Sequence, residues 1–237
     1  MINLKKYKQE QLLRFYNELN EDEKKILNKD LENIDYDLMN TIYKNSYNDE
    51  ILDINKISNL KIISSLSDNE IKEYDKIGKN LIKNNQYAVV ILAGGFGSRL
   101  GIDGPKGCLK LKINNRKVSI FELFINNLIK VNKELNSQIR LYIMTSTDNE
   151  SATKNFFLEN NYFNYGQKNI VFFHQNNLPI LDINGKIVLK NKYQVLFGPN
   201  GNGDVFNSLK ENNLIKDMEF HNIKYVLFST VDNVLTN

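Results

Sequence analysis

One stretch constrains the fold of this chain more than any other. Residues 87–101 read Tyr-Ala-Val-Val-Ile-Leu-Ala-Gly-Gly-Phe-Gly-Ser-Arg-Leu-Gly, and Gly104-Pro105-Lys106-Gly107 follows closely. No residue from Ala88 to Ala93 is polar. A strand wet on one face alternates, so an unbroken apolar run suits a strand covered on both faces, as in a parallel sheet. The run stops at Gly94, Gly95 and Gly97. Glycine permits a sharp turn and a close approach of ligand to main chain. Successive free N–H groups in such a turn make a concave anion site. Arg99 adds a planar fork of donors suited to phosphate oxygens, and Lys106 adds a compact charge. Together these features point to a cradle for nucleotide phosphates. Leu100 stands where the dinucleotide fingerprint has its third glycine, and no Gly-Lys-Ser/Thr closes the turn as in a P-loop.

The 237 residues suffice for one sizeable domain with a smaller appendage. A content of 41% hydrophobic and 25% charged residues is that of an ordinary globular chain. The net charge of +3 is too balanced to point to nucleic acid or an anionic membrane. Cys108 is the single cysteine, so no internal disulfide can form and a reducing compartment is expected. No secretory leader is evident, and no apolar run reaches the roughly 20 residues that span a bilayer. The expectation is a cytoplasmic chain with neither a nucleic-acid nor a membrane partner.

Residues 1–84 read as a helical N-terminal region. Leu12, Leu13, Phe15, Tyr16 and Leu19 recur at helix-like spacing, and Asn20-Glu21-Asp22-Glu23 has the form of an N-cap with an acidic first turn. Ile26, Leu27, Leu31, Ile34, Leu38 and Ile42 continue the apolar face. Ser67-Asp68-Asn69-Glu70 is a capping-box pattern opening a helix through Leu81. Residues 85–237 then alternate strand and helix. Ile120–Val131 is apolar at helical spacing, and 141–144, 170–173 and 225–228 are short apolar runs. This alternation argues for an α/β domain with a mostly parallel sheet. Ligands of such sheets collect beyond the carboxyl ends of the strands, which directs attention to Ala93–Arg99, Thr145-Ser146, His174-Gln175 and Ser229–Asp232.

The glycine-rich string with its trailing Pro105-Lys106 resembles the signature of the eukaryotic-type UDP-sugar pyrophosphorylases. These are the UDP-N-acetylglucosamine and UTP–glucose-1-phosphate uridylyltransferases. Ser98 stands where that family usually has Thr, and both carry a hydroxyl. Four further phrases resemble the family in order: Arg140–Ser146, Ile170–Gln175 with Pro179, Gly198–Asp204, and Val231–Leu235. The helical segment resembles the family's N-terminal region through Leu12–Leu19 and Ile34-Asp35. The resemblance implies a Rossmann-like, glycosyltransferase A-like nucleotidyltransferase fold of residues 85–237.

It also implies roles. The backbone of Leu92, Ala93, Gly94, Gly95, Gly97 and Ser98 would contact the nucleotide, with Arg99 on the outer phosphates and Lys106 near the α-phosphate. Gln175, Gly201 and Asn202 would read uracil, and an amide does offer the donor and acceptor that uracil needs. Asp232 would hold Mg²⁺, which takes one or two carboxylates plus phosphate oxygens. Thr145 and Ser146 are expected to cap the following helix, with a nucleotide contact the other possibility. Asn200 and Asp204 depart from the family's Asp and Gly. Cys108, one residue beyond Pro-Lys-Gly in an electropositive neighbourhood, is read as a small filler, a lowered thiol pKa being the alternative. The implied reaction is in-line attack of a sugar 1-phosphate on the α-phosphorus of UTP, releasing pyrophosphate. Family members continue past Asn237 with most of the sugar pocket and a further lysine. Two rival readings stay open: a non-catalytic UTP-binding or regulatory module, and a nicotinamide dehydrogenase.

Overall fold

A computed structural model describes residues 3–46, 65–97, 101 and 103–233. In chain order these form α1 (Glu21–Glu32), α2 (Tyr36–Ser46), α3 (Asp68–Lys83), β1 (Tyr87–Leu92), β2 (Lys110–Ile113), β3 (Arg116–Ser119), α4 (Ile120–Leu135), β4 (Arg140–Thr145), α5 (Glu150–Glu159), β5 (Ile170–His174), β6 (Asn177–Pro179), β7 (Leu189–Asn191), β8 (Gln194–Val195), β9 (Phe197–Pro199), α6 (Val205–Glu211), α7 (Leu214–Phe220) and β10 (Tyr225–Thr230). Two compact units result. One joins residues 1–62 to 177–199, and the other comprises 63–176 and 200–237. The sequence places a single boundary at 84/85. Compactness instead assigns α3 to the larger unit and returns residues 177–199 to the N-terminal one.

The larger unit holds a sheet of order β10-β1-β4-β5. All three pairings are parallel, with Tyr87 opposite Tyr225, Ala88 opposite Arg140 and Leu141 opposite Ile170. The apolar run resolves into two faces by its period of two. Val89, Ile91 and Ala93 join Leu141 and Ile143 under α4 and α5, where Phe121, Phe124, Ile125 and Phe157 pack. Ala88 and Val90 join Tyr142 and Met144 under α6 and α7, with Val205, Leu209, Leu214 and Met218. Each fully buried side chain of this size contributes roughly 1.5–3 kcal/mol. This is the doubly covered parallel sheet the sequence predicts, and it aims the carboxyl ends of β1, β4, β5 and β10 at one rim.

The smaller unit has its own core of Leu12, Leu19, Leu27, Leu31, Ile34, Tyr36 and Met39, closed by Ile187 and Val195. Its β-strands pair as two antiparallel ribbons, β6 with β9 and β7 with β8. The buried Gln9 side chain ties this insert in, donating to Gly185 O and accepting from Ile187 N. The N-cap expected at Asn20 forms, and Glu23 closes it into a capping box. Residues 12–19 do not form an α-helix, however. They make two short 3-10 turns, Glu10–Leu13 and Tyr16–Glu18, because only Leu12 and Leu19 of the five apolar positions are buried. Ile26, Leu38 and Ile42 are likewise exposed, and Tyr36 and Met39 supply the buried face of α2.

Candidate active site

The turn after β1 is built by backbone pairing with the Pro-Lys segment. Ala93 N continues the ladder to Met144 O. Phe96 then bridges Pro105, Gly97 N donates to Gly104 O, and Lys106 N donates to Gly95 O. The two halves of the signature therefore lie side by side. Ser98, Arg99 and Leu100 fall outside the described residues, as do Val234 and Leu235 of the last phrase.

Lys106 is placed by the short turn Lys106–Cys108. Gly107 follows it for a steric reason, since a Cβ there would lie 2.3 Å from the buried Phe121 ring. The Lys106 Nζ sits over Gly95, 3.8 Å from where a Cβ of that residue would be. It also donates to Asp232 Oδ2 at 2.8 Å. Asp232 lies just beyond β10, and its side chain is 55% exposed. The fold thus brings together two groups 126 residues apart, one cation and one carboxylate, on the rim beside the glycine turn.

Gln175 directly follows β5, and its N–H donates to Thr145 O. Its side chain is buried against Gly94, where a Cβ would meet Gln175 Nε2 at 2.5 Å. The carboxamide has no hydrogen-bond partner among the described residues, so its donor and acceptor are unspent. Gly94 must be glycine for this close approach. Gly201 adopts φ +86°, a conformation other residues rarely take, and Asn202 opens the following 3-10 turn. Asn200 N donates to Asn176 O, which sets the Gly201–Asn202 loop beside the end of β5.

The expected capping role of Thr145 and Ser146 is not what forms. Thr145 Oγ1 donates across to Phe173 O. Asn149 is the residue preceding α5, without a side-chain cap, and the Ser146 Oγ is buried with no partner among the described residues. Asn149 is the residue that sequence reasoning missed. It is fully buried, accepts from Ser146 N at 2.9 Å, and donates to Ala93 O at 3.0 Å and Gly95 O at 3.4 Å. It fastens the carbonyls of the glycine turn inward. The one signal was an Asn a few residues past a strand end, a pattern shared with any turn.

Cys108 is not activated. Burial, with Glu159 adding, pushes its thiol up to about 11 against a smaller lowering by Lys110. Below the sheet, Arg140 forms a bidentate pair with Asp217, which also accepts from the Tyr142 hydroxyl. Burial raises the Asp217 pKa, but the hydrogen bonds from Arg140 and Tyr142 and the charge of Arg140 outweigh it, and the carboxyl ends below its ordinary range. No helix among the described residues is long and apolar enough to cross a membrane.

Comparison with known proteins gives this geometry its context. The chain is 38% identical over 168 residues to the UDP-N-acetylglucosamine pyrophosphorylase of Saccharomyces cerevisiae, covering 69% of this chain and 35% of that protein. It is 31% identical to UDP-N-acetylglucosamine diphosphorylase 2 of Arabidopsis thaliana, over 98% of this chain and 49% of the relative. Among solved structures, the uridine diphosphate N-acetylglucosamine pyrophosphorylase of Trypanosoma brucei, determined with an inhibitor, superposes with TM-score 0.79 at 26% identity, over 98% of this chain and 50% of that one. The chain spans half or less of the length of each of these proteins. The fold is that of the nucleotidyltransferases it matches. The model of the UTP–glucose-1-phosphate uridylyltransferase family matches residues 36–237, and the chain belongs to that family.

Proposed function

We propose that this chain carries the UTP-binding half of a uridylyltransferase that moves UMP from UTP to a hexose 1-phosphate, giving a UDP-sugar and pyrophosphate. The observation that carries the reading is the rim where the β1 glycine turn, the Lys106–Asp232 pair and the unspent Gln175 carboxamide meet. The relatives at 31–38% identity are named for UDP-N-acetylglucosamine, which favours N-acetylglucosamine 1-phosphate over glucose 1-phosphate as acceptor.

The chemistry needs no covalent nucleophile. Two anions that repel each other must be held in line, and charge moving to the leaving group must be neutralised. Leu92, Ala93, Gly94, Gly95 and Gly97 bind the nucleotide through their backbone, Ser98 shares that role, and Arg99 takes the outer phosphate oxygens. Lys106 sits near the α-phosphate, where charge develops. Gln175, Gly201 and Asn202 read the uracil edge.

Asp232 would hold Mg²⁺, which supplies charge neutralisation at the phosphates. The donor chemistry is compatible with such an ion, since Asp232 offers one half-exposed carboxylate at a strand end. Mg²⁺ held chiefly by phosphate oxygens and water asks for no more protein than that.

The test is calorimetric titration of the chain with UTP and Mg²⁺ beside ATP and NAD, followed by a pyrophosphate-release assay with N-acetylglucosamine 1-phosphate. Selective UTP binding with pyrophosphate release supports the reading. UTP binding without release makes the chain a nucleotide-binding module, and NAD binding in place of UTP refutes the uridylyl chemistry.

A further inference from the structure

We infer that Asp204 is a positioning residue for uracil recognition: its buried carboxylate locks the loop carrying Gly201 and Asn202 to the strand end carrying Gln175. The inference rests on the uracil-reading roles proposed above for those three residues.

Asp204 is 5% exposed, and no cation pairs with it among the described residues. A buried carboxylate without hydrogen bonds is costly. Here it accepts four. Oδ2 takes Asn176 N at 3.0 Å and Ser208 Oγ at 2.8 Å, while Oδ1 takes Asn200 Nδ2 at 2.9 Å and Asn207 Nδ2 at 3.4 Å. An ionised carboxylate is acceptor-only, so all four approaches suit it.

The residue precedes α6, where an Asp ordinarily accepts from the helix's own first N–H groups. It makes no such bond. Its oxygens turn instead to Asn176 on one side and Asn200 on the other. Asn176 is the residue next to Gln175. Its carbonyl accepts from Asn200 N, and its Nδ2 donates to Glu211 at 2.7 Å. Gly201 and Gly203 have open space where a Cβ would lie, so packing around them does not hold the loop. Hydrogen bonds through Asp204 and Asn176 do. The departures at Asn200 and Asp204 are thus one feature, a donor and an acceptor facing each other.

The test uses Asp204→Asn in the full chain. This near-isosteric change sets an NH₂ group against donors that need acceptors. Two readouts are taken. Amide exchange at Asn176 in the nucleotide-free chain is expected to speed up about tenfold or more. The Kd for UTP is expected to rise about tenfold while that for inorganic tripolyphosphate stays within about twofold, since one to two hydrogen bonds are lost on the base side alone. Ser208→Ala, removing one donor of four, is expected to move the same readouts in the same direction by less. It carries the test if Asp204→Asn does not fold.

Unchanged Asn176 exchange overturns the inference. So does equal weakening of UTP and tripolyphosphate, which marks a general structural role. If the parent chain binds tripolyphosphate but not UTP, the uridine reading fails, and the exchange result alone decides whether Asp204 joins the two segments.

Discussion

Gly94→Ala is the sharpest probe of the proposed base pocket. The added methyl would lie 2.5 Å from Gln175 Nε2, 3.2 Å from Gln175 Cδ and 3.5 Å from Ser146 N. Ordinary contact begins at about 3.5 Å, so the carboxamide must withdraw by about 1 Å. A hydrogen bond from it to uracil, normally about 2.9 Å long, does not survive that movement. Gly94 lies outside the left-handed region, so alanine adds no backbone strain. The fold therefore holds while recognition fails. Losing one or two neutral hydrogen bonds costs about 1–3 kcal/mol, or roughly 5- to 150-fold in the Kd for UTP. Calorimetric titration of Gly94→Ala, Gln175→Ala and the double variant reads the effect. Both changes act on one side chain, so the double variant is expected to bind no worse than the weaker single one. UTP affinity within twofold of the parent for Gly94→Ala, or costs that simply add, would refute the reasoning.

Further outcomes follow from the same geometry. Asn149→Ala leaves Ser146 N–H and the Ala93 carbonyl buried without partners, a cost of about 1–3 kcal/mol per group. A melting scan should show a drop of several degrees. Gly107→Ala drives a methyl into the Phe121 ring and is expected to cost about 1–3 kcal/mol or more, read as a lowered urea midpoint. The Cys108 thiol, raised to about 11, should react with iodoacetamide negligibly at pH 8, with a rate that climbs only as pH approaches 11. Asp217 has a depressed folded pKa, so its stabilising effect is full above about pH 4, the unfolded value, and fades as pH falls through the lower folded one. Asp217→Asn should cost about 1.5 kcal/mol at pH 7, the low end for charged hydrogen bonds because the pair is partly in water, and flatten the acid limb of the stability curve.

The sheet was legible because its signal is local. The apolar runs at 88–93, 141–144, 170–173 and 225–228 each became a parallel strand, and the N-cap at Asn20 and the capping box at Ser67 both formed. Residues 177–199 were illegible because their strands are two or three residues long and owe their place to Gln9, 178 residues before its partner Ile187. The 12–19 segment misled because leucine seven residues apart fits both an α-helix and two successive tight turns. At the rim, Lys106, Gln175 and Asp232 stood out by motif, but their mutual distances did not. Asn149, and the fastening role of Asp204, stayed hidden because Asn and Asp after a strand or a glycine look like ordinary turn residues. Only burial separates a fastening from a turn.

The strand order also dictates a sequence of events during synthesis. β1 meets β4 across 52 residues, Ala88 to Arg140, but meets β10 across 138, Tyr87 to Tyr225. The longer closure costs only about 0.9 kcal/mol more in loop entropy. Its weight is in timing, because the ribosome delivers β10 long after β1, β4 and β5 have emerged. The glycine turn, Asn149 and Lys106 can therefore assemble on a three-stranded sheet while Asp232 is still unmade. A nascent chain passes through a stage in which Lys106 lacks its acidic partner, and the docking of β10 is the step that brings Asp232 to the rim.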